Sequence, residues 1–130
     1  MDEYALVRQL QDLERHLGGG EPDPADPASC RAELSRWRAR EADQEFRVSM
    51  PGGGTDAVVL GLCLRYGMKP YWSPRQKNSV SVRVPPGFMR EVFAPRVKAL
   101  SGAVDRAMFE AARRVVERWS GMSLKDFVGD

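Results

Sequence analysis

Ser79-Val80-Ser81-Val82-Arg83-Val84 alternates polar and β-branched apolar residues at a strict period of two. In a pleated strand that period puts Val80, Val82 and Val84 on one face and Ser79, Ser81 and Arg83 on the other. The stretch therefore reads as a strand with one buried and one wet side. Pro85-Pro86-Gly87 closes it. Upstream, Lys69 to Ser73 reads as a second strand, joined to the first around Pro74-Arg75-Gln76-Lys77-Asn78, which predicts an antiparallel β-hairpin. A two-stranded hairpin is barely stable alone, so its valines must rest on helices or pair with another chain.

The flanking sequence supplies helices. Before the hairpin, Ala57, Val58, Val59, Leu60, Leu62, Cys63 and Leu64 are apolar nearly all round, as in a helix buried on most sides. Thr55 or Asp56 is placed to cap its start, and Gly67 stands where a left-handed residue would end it. After the hairpin, a helix runs from Phe88, kinks or restarts at Pro95, and continues through Val97, Leu100, Val104, Met108, Ala111, Val115 and Trp119 at helical spacing, with Gly102 as a bend or split. At the other end, Leu6, Leu10, Leu13 and Leu17 form a narrow helical stripe stopped by Gly18-Gly19-Gly20. A second helix is predicted from Asp26-Pro27 through Cys30, Leu34 and Trp37. The Pro-rich linker 21–27 separates the two as a helical hairpin.

These elements predict an α+β fold, with four to five helices packed around one two-stranded antiparallel β-hairpin. The expected core is Leu60, Leu64, Val80, Val82, Val84, Phe88, Val92, Val97, Leu100, Val104, Met108 and Val115. Charge divides the chain. Residues 1–46 carry eleven acids and six bases, and residues 47–130 seven acids and fourteen bases. The organisation read from this is an acidic N-terminal helical hairpin, 1–46, and a basic α+β core, 47–130, within one unit of 130 residues. The acidic part either packs on the basic part and quenches it or stands apart and leaves it free.

The basic residues concentrate in one place. Arg65, Lys69, Arg75, Lys77, Arg83, Arg90, Arg96 and Lys98 face a single acid, Glu91, in a chain whose formal net charge is only +2. Gathered like charges imply an anionic partner or an internal counter-charge. The candidate binding residues for nucleic acid or another anionic partner are Arg65, Lys69, Tyr71, Trp72, Arg75, Lys77, Arg83 and Arg96. Guanidinium and ammonium groups there would neutralise phosphates while Tyr71 or Trp72 stacks a base. The competing reading of the same residues is a solvated hairpin with both aromatic rings in the core.

Other motifs carry less. Pro51-Gly52-Gly53-Gly54-Thr55-Asp56 precedes a helix but lacks the Gly-Lys-Ser/Thr ending of a phosphate loop. His16 is the only histidine, and with Cys30 and Cys63 it makes neither a catalytic triad nor a metal-ligand pattern. Both cysteines read as small buried hydrophobes. No catalytic residue, cofactor or metal is expected. The opening Met-Asp-Glu-Tyr has no signal-peptide pattern and no apolar run approaches membrane-spanning length, so a cytoplasmic place is expected. Arg supplies 16 of the 20 basic residues, a bias that fits a GC-rich bacterial coding sequence. The function read from all this is a non-enzymatic protein-interaction or assembly module, self-associating through a hairpin edge or helical stripes. The alternative is an RNA- or single-stranded-DNA-binding module using the hairpin 65–83.

Overall fold

The helix α3 (Gly54–Tyr66) lies at the centre of the fold, and the other elements are arranged by what they bury against it. In the computed structural model, residues 2–16, 27–49, 54–68, 70–71 and 79–120 are described. From Ala57 to Cys63 every residue of α3 is buried, which is why the segment is apolar around its whole circumference. Gly67 ends it at φ +75°. The Gly67 N–H donates to Leu64 O at 3.1 Å and the Met68 N–H to Cys63 O at 2.8 Å, a paired closure that satisfies the last carbonyls and tucks Met68 into the core.

Both N-terminal helices dock on this centre. Helix α1 (Asp2–His16) packs on α3 and on α6 (Arg106–Ser120), while α2 (Pro27–Arg38) packs on α3 and on α4 (Pro86–Phe88). Leu6 and Leu10 are fully buried there, and Cys30 and Leu34 do the same for α2. Of the two arrangements open to the acidic helical pair, packing on the basic part or standing apart, the structure has the first: both helices are part of the main core. The boundary drawn by charge sign, between residues 46 and 47, falls inside a strand.

That strand is β1 (Gln44–Ser49), which pairs antiparallel with β2 (Ser79–Val84) in the register Gln44↔Val84, Phe46↔Val82, Val48↔Val80. The fold is α+β with a two-stranded antiparallel sheet, as the sequence indicates, but the partner of 79–84 comes from 44–49 rather than from 69–73. Of the expected pairing with 69–73, one bridge is present, Tyr71 with Ser81. Pro70 beside it is buried and outside any strand, and the rest of the expected first strand and turn, Lys69 and 72–78, lies outside the described residues. The inner face of β2 is as read, with Val80, Val82 and Val84 buried, but the outer face is not the wet one expected: Ser79 and Ser81 are buried too, and only Arg83 is exposed.

Beyond β2, α4 starts at Pro86, and its free N–H at Gly87 is met from a distance by the Glu41 carboxylate, Gly87 N to Glu41 Oε1 being 2.8 Å. The next turn, Met89–Phe93, is a π-helix, with the Ala94 N–H donating to Met89 O, and α5 (Ala94–Leu100) follows. A proline ring at position 95 would crowd the carbonyl four residues earlier in a regular α-helix, and the wider turn just before it gives that room. Ser101–Ala103 forms a short 3₁₀ turn and Val104 is extended. Asp105 then caps α6, its carboxylate accepting from the Met108 N–H at 2.8 Å. So Gly102 marks a split between helices, not a bend in one. Of the expected core, Leu60, the three valines, Phe88, Leu100, Met108 and Val115 are buried, and Leu64, Val92, Val97 and Val104 pack on its margin. Among the described residues, no helix is long and apolar enough to cross a membrane.

Gly87 is held by close approach. A Cβ there would stand 2.5 Å from Trp37 Cζ3 and 3.0 Å from Glu41 Oε1. Gly87→Ala is expected to push the indole and the capping carboxylate away together and to cost about 1–3 kcal/mol, read as a lower urea midpoint at unchanged slope.

Candidate interaction surface

The structure separates the predicted site residues into three groups. Arg65 and Arg96 turn inward. Arg65 is fully buried, with Nη1 bonded to Glu14 Oε1 and Nη2 3.5 Å from Cys30 Sγ. Arg96 Nε lies 3.6 Å from the other Glu14 oxygen, its Nη1 donates to the Tyr66 hydroxyl, and its guanidinium is 6.0 Å from the Tyr66 ring centroid. The Tyr66 hydroxyl in turn donates to Glu33 Oε1 at 3.3 Å. Desolvation pushes the Tyr66 phenol well above its ordinary range despite the opposing pull of Arg96, so it stays a protonated donor. Burial likewise pushes the Cys63 thiol up to about 12, the state of an inert buried cysteine.

Glu14 from α1 therefore answers Arg65 of α3 and Arg96 of α5 within the fold, while Glu33 from α2 accepts from Tyr66 of α3. The acidic part packs on the basic part and takes up two of its arginines. Nothing in the local sequence around Arg65 shows this, because its counter-ion lies 51 residues away.

Arg83 and Tyr71 form the second group, and both are exposed, Tyr71 at 43%. Residues paired across a sheet share a face. The pairings Arg47↔Ser81 and Tyr71↔Ser81 place Tyr71, Ser81 and Arg47 in one row on the outer face, with Arg83 opposite Glu45 in the next. Arg47 is a member that sequence reasoning does not single out; its available signal is the alternation in Glu45-Phe46-Arg47-Val48. The third group, Lys69, Trp72, Arg75 and Lys77, lies outside the described residues.

The two edges of the sheet differ. Ser81 exchanges both backbone bonds with Tyr71, N to O at 2.8 Å and O from N at 2.9 Å. Arg38 Nη2 donates to Arg83 O at 3.2 Å, while Arg38 Nε pairs with Asp43 at the same distance. The far edge of β2 is thereby engaged. Because the backbone groups of Ser81 point away from β1, the Arg47↔Ser81 pair is a non-hydrogen-bonded one. Antiparallel alternation then assigns the ladder bonds of β1 to Gln44, Phe46 and Val48 and aims the N–H and C=O of Glu45 and Arg47 outward. Among the described residues, no strand pairs with that side of β1.

Beside Val48 of the same strand is a mostly apolar hollow of about 360 Å³, lined by Val48, Met89, Phe93 and Val97 together with Thr55, Lys98 and Ser101 among others. It lies beside the π-helical turn, which supplies Met89 and Phe93. Phe46 and Val48 are only half-buried although they sit on the inner face. An outward backbone edge beside apolar side-chain space is the arrangement that accepts an added strand: main-chain bonds hold it and the hollow receives alternate side chains. A second hollow of about 290 Å³ between α1 and α6 is lined by Gln9, Asp12, His16 and Asp105 among others, and no group of three metal-ligating side chains occurs among the described residues.

Comparison of the chain with protein-family models, with curated proteins and with solved structures finds no match.

Proposed function

We propose that this chain is a non-catalytic, cytoplasmic protein-interaction module that binds by adding a strand to the edge of β1 that no described strand covers. The observation that carries the reading is the outward set of backbone groups at Glu45 and Arg47, beside the hollow bordered by Val48, Met89 and Phe93. Native folds rarely leave such an edge without charge, proline or cover, and here its charges alternate in sign along the strand.

The test uses the two kinds of amide in β1. In dilute protein the Phe46 and Val48 amides, bonded to β2, are expected to exchange slowly and the Glu45 and Arg47 amides fast. Engagement of the edge slows the second pair alone. Arg47→Pro removes an outward donor without touching a ladder bond, a position where proline is tolerated in an edge strand. The variant is expected to keep its far-UV spectrum and lose association, as read by light scattering. Association that persists in folded Arg47→Pro would overturn the reading.

The outer face supports a second reading, because Tyr71, Arg47 and Arg83 present a ring beside two guanidinium groups, the pairing that holds single-stranded nucleic acid. It predicts protein that elutes with a high 260 to 280 nm absorbance ratio, falling as salt rises, and an affinity lost in Tyr71→Ala and Arg83→Glu. The uptake of Arg65 and Arg96 by Glu14 weakens this reading relative to strand addition.

A further inference from the structure

We infer that the strand added to β1 is the β1 of a second copy, in a two-fold antiparallel pairing centred on Phe46 that makes a four-stranded sheet in the order β2-β1-β1-β2. This rests on the strand-addition reading above and names its occupant and register.

The register follows from backbone direction and charge. Only odd-numbered residues of β1 point their bonding groups outward, so a hydrogen-bonded pair across the new seam must join two of them. In a two-fold pairing centred on Arg47, Arg47 would face itself and Glu45 would face Ser49. Centred on Glu45, two carboxylates would meet. Centred on Phe46, Glu45 of each copy faces Arg47 of the other, so both bonded pairs are also opposite-charge pairs.

The neighbouring strands reinforce that choice. Glu45 already stands opposite Arg83, and Arg47 stands opposite uncharged Ser81. Adding the second copy gives each Glu45 an arginine on both sides and gives each Arg47 the acidic cross-strand neighbour it lacks within its own sheet. On the inner face, the two half-buried Phe46 rings meet at the axis, each diagonal to a Val48. A two-fold axis perpendicular to the sheet leaves both sets of helices on one side, with the hollow at Met89, Phe93 and Val97 of each copy under the same surface. Two six-residue strands form a small seam, so the dimer is expected to depend on concentration.

Charge reversal with mixing tests it. Glu45→Arg alone sets arginine against arginine twice, and Arg47→Glu alone sets glutamate against glutamate twice. Each is expected to raise the dimer dissociation constant roughly tenfold or more in sedimentation equilibrium at low salt. When the two single variants are mixed in equal amounts, each heterodimer brings the introduced arginine of one copy against the introduced glutamate of the other and keeps one native Glu45–Arg47 pair. Association is then expected to return. The double variant Glu45→Arg/Arg47→Glu is expected to dimerise by itself. Wild-type protein that remains monomeric to millimolar concentration would overturn the inference, as would a dimer indifferent to the single variants. If that dimer is nonetheless lost in Arg47→Pro, the edge reading stands and only the register falls; if it survives Arg47→Pro as well, both fall.

Discussion

Replacing Glu14 with alanine is expected to lower folding stability by about 3–5 kcal/mol, a large part of the 5–15 kcal/mol typical of a domain. The carboxylate is the counter-charge of Arg65, whose side chain is 0% exposed, and it also faces Arg96. Removing it takes a carboxylate partner from a guanidinium held in the core, where desolvation is costly. The converse experiment separates the cost of breaking the pair from the worth of having it. Glu14→Leu with Arg65→Met removes both charges and retains apolar volume, and is expected to lie within about 2 kcal/mol of the wild type or above it. Urea denaturation of the two single variants and the double variant closes the cycle. A Glu14→Ala protein as stable as the parent would show that Arg65 is not held by this contact.

Leu10→Asp is expected to abolish cooperative unfolding. Leu10 is fully buried in the α1–α3 contact, and its Cδ2 lies 3.2 Å from where a Cβ on Gly61 would be, so the helices meet with nothing between them. A carboxylate at that point has no water, and its burial adds to the lost packing to exceed about 4 kcal/mol. Leu10→Ala, expected to cost about 2–5 kcal/mol, keeps the claim measurable if the aspartate variant does not fold. The leucine stripe of α1 invites reading as an oligomer seam. If Leu10→Asp melted like the parent and lost only self-association, the stripe would be intermolecular and the placement of α1 on α3 would be wrong.

What the sequence shows and what it hides divide by range. The strand at Ser79 to Val84 with its buried valines, the all-apolar circumference of α3 and the left-handed glycine at its end are local patterns and appear in place, whereas the wet outer face that the alternation predicts does not, since Ser79 and Ser81 are buried as well. Strand pairing is not local. Lys69 to Ser73 is the nearest partner in sequence, whereas Gln44 to Ser49 shows just two apolar residues, Phe46 and Val48, and straddles the point where the charge sign changes. Composition draws a boundary there because it sums charges without knowing which of them meet. The basic group misleads for the same reason. The sign of Arg65 is legible, but its burial is set by Glu14 and Cys30 on other helices. Arg47 escapes notice because it stands outside the dense stretch and gains its neighbours only through the sheet.

The contact of α1 with α6 also bears on synthesis. On a ribosome the first helix emerges with Leu6 and Leu10 exposed, and α3 follows with its whole circumference unsatisfied. The surface that buries them is incomplete until Met108, Ala112 and Val115 have left the exit tunnel. Helix α3 is made before the part of α6 that completes its cover, so over that interval a nascent chain presents its most apolar helix uncovered, within reach of chaperones and of neighbouring chains. The same order of synthesis predicts folding that is concerted across these helices rather than stepwise along the chain, with α6 acting as the piece that locks α1.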